Sequence, residues 1–367
     1  MMKFNKTLED ITLYEAGKPI ELVVREFGID PKDVVKLASN ENPLGTSPAV
    51  ANVISEHASK AHLYPDDSMY ALKEGLADKF GVSSSEVIIG AGSDQILEFI
   101  SRSLLSPQDS VLMTKITFAM YEIYAKQMGA TIIRTPSYEH KADEFIEAYN
   151  KYKPKIVYLC IPNNPIGDCM TKAEALKVID AVDKHTLVVI DGAYMEYAAY
   201  KDKTCEVTPK DILKYPNVIY LGTFSKAYGL GGMRVGYGIA NEALIGQIAK
   251  MRPPFNIASL SLAAAIAALG ENEFIARSLA LHEEQLLRYE DFAIKNNISF
   301  IPSYTNFITY LFDESLNSTE IADALLKKGV IIRNLASYGL NAIRITIGTA
   351  EQNDKFFHYF LELIASK

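Results

Sequence analysis

The chain is short of positive charge, short of cysteine, and without any long apolar run. Lys and Arg number 37 against 45 Asp and Glu, a formal net charge of −8. Nucleic acid and anionic membrane surfaces are gripped through a basic face, so neither is expected as a partner. The three cysteines, Cys160, Cys169 and Cys205, are odd in number and lack metal-ligand spacing. They predict free thiols in a reducing compartment and no metal site. No segment approaches the roughly 18 consecutive apolar residues that span a bilayer, and "MMKFNKTLEDITLYEAGKPI" has no apolar core of a secretory signal. A cytoplasmic protein is expected. Internal repeats and low-complexity tracts are also missing.

What the chain does have is the composition of a folded globular protein, 49% hydrophobic and 22% charged. Its 367 residues exceed what one core usually organises, which predicts one large domain and one smaller one. Short Val- and Ile-rich runs recur at 86–90, 110–114, 131–134, 155–160, 187–191 and 217–222. Segments of helical period, such as 93–105 and 171–185, separate them. This alternation predicts an α/β fold: a mostly parallel, seven-stranded sheet with helices on both faces. After "RPPFN" (252–256) the pattern changes to a long helical stretch from 259, short strands in "NFITYLF", "GVIIR" and "AIRITIG", and a closing helix near 350–365. We expect a large domain over 45–254, and a smaller α+β domain made of 1–44 and 255–367.

Ligands of open α/β sheets sit beyond the carboxyl ends of the strands, so the residues just after each apolar run carry the information. Gly92, Ser93 and Asp94 follow the first run and open a helix, where exposed amides bind phosphate or another anion; Ser93 as a plain helix cap is the bland alternative. A dinucleotide fingerprint would need glycine where Gln95 stands, which disfavours a nucleotide-binding dehydrogenase. The run at 155–160 leads into "IPNNPIG", a turn whose prolines bring Asn164 over the strand end. Asp191 ends the next run and is followed closely by Tyr194. A buried carboxylate there needs a positive partner from elsewhere in the fold or from a ligand, unless it only caps the next helix. "TFSKAYGLGGMR" then places Lys226 among Thr223, Ser225 and Arg234, two hydroxyls and a guanidinium that suit an anion. A solitary loop lysine is normally solvated; burial beside positive charge would make its amine nucleophilic. Two anion-binding sources, a carboxylate, hydrogen-bond donors in Asn164 and Tyr194, and an activatable lysine together match pyridoxal 5′-phosphate.

With these motifs in place the sequence resembles the fold type I pyridoxal-phosphate aminotransferases, and within them the histidinol-phosphate branch. The likeness runs from "LASNENPLG" (37–45) through "YPDD" (64–67), "GAGSDQI", "IPNNPIG", "VVIDGAY" and "TFSKAYGLGGMRVG" to "IRITIGTAEQN" (343–353). It implies that Lys226 carries the cofactor as a Schiff base, that Asp191 pairs with the pyridine nitrogen, and that Asn164 and Tyr194 hold the ring oxygen. Ser93, Asp94, Thr223, Ser225 and Arg234 would surround the cofactor phosphate, and Phe118 would stack on the ring. Tyr64 would reach the site of a partner subunit in a homodimer. Arg333 and Arg344, with Tyr14 and Asn306 as weaker candidates, would hold the phosphate of histidinol phosphate or the carboxylate of glutamate and 2-oxoglutarate. Three departures from the family pattern stand out: Phe118 for tyrosine, Ile166 for threonine, and Gly192 for an acidic residue. An aromatic-amino-acid aminotransferase, a threonine-phosphate decarboxylase and a non-catalytic binding protein remain as alternatives.

Overall fold

The computed structural model describes residues 2–9, 11 and 20–365. Seven strands form the main sheet, in the spatial order Val87–Gly90, Gly236–Ala240, Val218–Thr223, Leu187–Asp191, Ile156–Cys160, Ser110–Met113 and Thr131–Arg134. All neighbours are parallel except those of Gly236–Ala240, which runs antiparallel to both of its own. This is the expected α/β architecture, with one strand, "GYGIA", that the apolar runs did not announce: two of its five residues are glycine.

The three central strands are buried along their whole length, which is why they read as continuous apolar runs and not as alternating ones. Alternate residues still go to opposite faces. Val157, Leu159, Val188 and Ile190 join one apolar cluster, while Ile156, Tyr158, Cys160, Leu187 and Val189 join the other. Asp191 has the parity of the second group and lies beside Cys160 in register. The edge strand Thr131–Arg134 is the one only partly covered.

Helices begin where the sequence supplies caps. Thr171 and Glu174 form a reciprocal capping box for Lys172–Ala181, and Asn317 accepts from the amides of Thr319 and Glu320 to start Ser318–Lys327. The long helical pattern divides into Ser259–Ala268 and Asn272–Lys295, interrupted around Gly270. A four-stranded sheet orders Arg333–Asn334, Ala342–Thr346, Phe307–Leu311 and Ser299–Ile301, all antiparallel. "GVIIR" is split: Val330–Ile331 pairs in parallel with Val35–Lys36, tying the N-terminal segment to the C-terminal unit. Among the described residues no helix is long and apolar enough to cross a membrane.

Candidate active site

The carboxyl ends of the central strands bring Cys160, Asp191 and Thr223 to one edge, and a cavity opens there. Gly92, Ser93, Asp94, Phe118, Asn164, Tyr194, Ser225, Lys226 and Arg234 complete its wall with Ala193. Eleven of the twelve cofactor-contact candidates from the sequence therefore converge on one space; Tyr64 is the exception.

One end of the cavity is built for an anion. The helix Gly92–Leu104 starts without a capping side chain, so Ser93 lies inside its first turn and is not the cap. The amides there remain available to a ligand. Arg234 Nη1 donates to Ser225 Oγ (3.2 Å) and to Gly231 O (2.9 Å), while Thr223 Oγ1 donates to Ser225 Oγ (3.1 Å). Gly236 is needed here, since a Cβ on it would collide with the amide of Ser93. Tyr124 Oη donates to Asp94 Oδ2 (3.0 Å), whereas Asp94 Oδ1 is buried without a hydrogen-bond partner. Burial raises the Asp94 pKa against the pull of Tyr124.

At the other end stands Asp191, 4% exposed. Its Oδ1 accepts from the Ala193 amide (3.1 Å) and its Oδ2 from Tyr121 Oη (2.6 Å). No lysine or arginine forms an ion pair with it among the described residues, and the next helix, Met195–Lys201, is not capped by it. Burial pushes its pKa up, and the bonds from Tyr121 and Ala193 draw it down. The neighbouring Cys160 thiol is pushed up to about 12, chiefly by burial and then by Asp191, which makes it inert.

Between the two ends lies Lys226. Burial first, and then the charges of Arg344 and Arg234, lower its pKa to about 7. Its Nζ lies 5.5 Å from the centre of the Tyr194 ring. Tyr194 Oη accepts from Asn40 Nδ2 (2.8 Å), and burial holds the phenol in its protonated form. The turn at 161–167 contains two cis peptide bonds, Ile161–Pro162 and Asn164–Pro165. Asn163 faces inward, donating to Ile116 O and Asp168 Oδ1 (both 3.0 Å), which leaves Asn164 as the one facing the cavity.

Arg344 reaches this edge from the four-stranded sheet. It is 8% exposed; its Nη1 donates to Asn164 Oδ1 (2.6 Å) and its Nη2 to Ala38 O (2.7 Å). Arg333 is its direct partner across the strands, so two guanidinium groups share one face. Arg333 lines an adjoining cavity that shares Phe118 with the first and is also bordered by Tyr138, Tyr338 and Lys115. Asn306 does not line either space: its Nδ2 donates to Asn40 O (2.9 Å), behind Tyr194. Tyr14 lies outside the described residues. Tyr64 is 83% exposed and packs against Phe255 at 4.8 Å, away from the cavity of its own chain.

Two departures have local causes. The Tyr220 ring occupies the space a side chain at Gly192 would need, and Ile166 is fully buried with Ile116 and Ile301. The residues that sequence reasoning missed are Tyr121, Tyr124, Asn40 and Ala193. Tyr121 and Tyr124 follow Phe118 at intervals of three on the helix Ala119–Gln127, a one-face spacing that was legible. Asn40 had no such signal, being supplied from 154 residues away.

Comparison with known proteins agrees with this geometry. Residues 32–360 match the aminotransferase class I and II family. Histidinol-phosphate aminotransferase of Sulfurovum sp. is 69% identical, over 99% of this chain and all of that protein. Its counterpart in Campylobacter concisus is 58% identical with the same coverage. The crystal structure of histidinol-phosphate aminotransferase from Sinorhizobium meliloti in complex with pyridoxal-5′-phosphate superposes with a TM-score of 0.89 at 25% identity, over 100% of this chain and 98% of that one. The chain belongs to the class I and II aminotransferases, among the histidinol-phosphate aminotransferases.

Proposed function

We propose that the protein transfers the amino group of L-histidinol phosphate to 2-oxoglutarate, a step of histidine biosynthesis, with pyridoxal 5′-phosphate held at Lys226. The observation that carries this reading is a half-buried lysine, drawn down to about 7, in a cavity with an anion cradle at one end and a buried carboxylate at the other. The donor set fits the cofactor: uncapped amides with Ser225, Thr223 and Arg234 for a phosphate, and Asp191 for a ring N–H. When bound, pyridoxal phosphate supplies an electron-accepting ring.

The roles of the chain's own groups follow from their surroundings. Lys226 Nζ, neutral over much of the population near pH 7, is the amine that would hold the cofactor and would take the proton from the substrate Cα. Asp191 offers carboxylate lone pairs to a protonated ring nitrogen. Tyr194 keeps its phenolic proton and can donate to the ring oxygen. Asn164 Oδ1 is occupied by Arg344, which turns the donating Nδ2 of Asn164 to the same task. Phe118, in the cavity wall, would cover one face of the ring.

Arg344 and Arg333 hold the substrate's anionic end. The phosphate of histidinol phosphate and the carboxylate of 2-oxoglutarate would occupy this place in turn, consistent with a ping-pong cycle. Tyr14 stays a candidate for contact with the same substrate, and Asn306 backs Tyr194 through its bond to Asn40 O. We further propose a large domain, 45–254, and a small one, 1–44 with 255–367, with this pocket between them. A homodimer completes the site, with Tyr64 of each subunit reaching the other. The exposed apolar side chains around it, Leu63, Phe255 and Ile266, suit burial against a second copy. We place the enzyme in the cytoplasm.

The test is an assay of the purified protein with histidinol phosphate and a panel of amino acids, using 2-oxoglutarate as acceptor. Strong preference for histidinol phosphate is expected. Preference for phenylalanine or tyrosine by a wide margin, or release of carbon dioxide from threonine phosphate, would replace this reading.

A further inference from the structure

We propose that Tyr121 is a positioning residue for Asp191, holding the carboxylate charged and aimed so that it can pair with the ring nitrogen of the cofactor. The inference rests on the pyridoxal-phosphate reading above.

Tyr121 is completely buried on the helix Ala119–Gln127, and its ring stacks on Tyr158 (centroids 4.5 Å apart, planes at 6°). The same ring meets Phe118 edge-on at 5.6 Å and 83°. One side chain thus braces the aromatic residue assigned to the ring face and, through its hydroxyl 2.6 Å from Oδ2, the carboxylate assigned to the ring nitrogen.

The hydroxyl can only donate in this setting. Burial and then the nearby Asp191 raise its pKa well above the ordinary phenol value, so the proton stays on oxygen. A carboxylate oxygen has two lone-pair directions, so one bond from Tyr121 fixes the orientation of Oδ2 and leaves the other for a ligand. The Ala193 amide does the same for Oδ1. Among the described residues Asp191 forms no ion pair, and burial works against its charge; the Tyr121 bond is the largest influence opposing burial. The other titratable groups that face Asp191 are Lys226, Asp94, Cys160, Tyr194 and Tyr220. A tyrosine-to-phenylalanine change leaves all of these, and both ring contacts, in place.

The test is equilibrium dialysis of the full-length protein against pyridoxal 5′-phosphate as a function of pH, for wild type, Tyr121→Phe and Tyr158→Phe. A buried hydrogen bond to a charged group predicts about ten- to hundredfold weaker cofactor binding in Tyr121→Phe. The acid limb of binding should also move up by about one to two pH units, because Asp191 without its donor takes a proton sooner. The cofactor's own ionisations are common to the three proteins and cancel. Tyr158→Phe should bind like wild type, since its hydroxyl faces Ser101 at 3.4 Å.

Wild-type affinity and an unmoved acid limb in Tyr121→Phe would overturn the proposal. A wild-type protein that binds no pyridoxal phosphate would instead remove the reading on which it rests. If Tyr121→Phe does not fold, 3-fluorotyrosine at position 121 keeps the ring and strengthens the donor. The acid limb should then move to lower pH, and no movement would equally overturn the assignment.

Discussion

The seven-stranded sheet and the four-stranded sheet contribute to the site in different ways. The large sheet offers its carboxyl edge: Cys160, Asp191 and Thr223 end adjacent strands, and loops carry Asn164 and Lys226 onward from the same edge. The small sheet offers a face, on which Arg333 and Arg344 stand opposite each other. Groups at this parallel edge are fixed by the ends of adjacent paired strands. Arg333 and Arg344 are like charges directly opposite each other, a pairing that an anion held against that face would offset. On the proposed reading the edge takes the resident cofactor and the face an exchanging anionic substrate.

Substitutions can break this division of labour in graded steps. Lys226→Ala should retain cofactor by its phosphate cradle yet lose about 10⁴-fold or more in turnover, since the amine and the proton carrier go together; single-turnover kinetics with histidinol phosphate would measure it. Asp191→Ala should cost about 10²- to 10³-fold in kcat even at saturating cofactor, as expected for removal of a preorganised charge. Full activity at saturation would reduce Asp191 to a binding role.

The face should respond differently. Arg344→Ala is expected to lower kcat/KM about 10- to 100-fold for both histidinol phosphate and glutamate, with cofactor content unchanged. Arg333, more exposed, should show about a tenfold loss, or less, in the same steady-state assay. Equal losses of cofactor in these variants would erase the distinction between edge and face. The smallest effect concerns pH. Capture of pyridoxal phosphate by the cofactor-free protein should rise about twofold between pH 7 and pH 9, as the Lys226 ammonium with its pKa near 7 finishes losing its proton. Stopped-flow absorbance would follow it, and a rise centred near the ordinary lysine value would contradict the enclosed setting of Lys226.

The edge was legible in the sequence because parallel strands are buried on both faces. Their Val- and Ile-rich runs mark where each strand stops, and polar residues at or just after the stop line the cavity. Asp191 and Asn164 were found this way, and Lys226 by the hydroxyls around it. Gly236–Ala240 escaped because a glycine-rich strand packed against the Ser93 amide has no apolar run to show. The contacts that set orientation were mostly hidden: Asn40 on Tyr194 and Arg344 on Asn164 join residues 154 and 180 positions apart, and only the folded chain brings them together. Tyr121, also missed, did carry a signal: it stands three residues after Phe118, in the first turn of the helix Ala119–Gln127.

The central claim is that Lys226 bears the cofactor. Borohydride reduction of the yellow holoenzyme followed by peptide mass mapping tests it most directly. A stable phosphopyridoxyl adduct is expected on the peptide containing Lys226, abolished when histidinol phosphate is added before the reductant. An adduct on another lysine, or one that histidinol phosphate fails to displace, would contradict it.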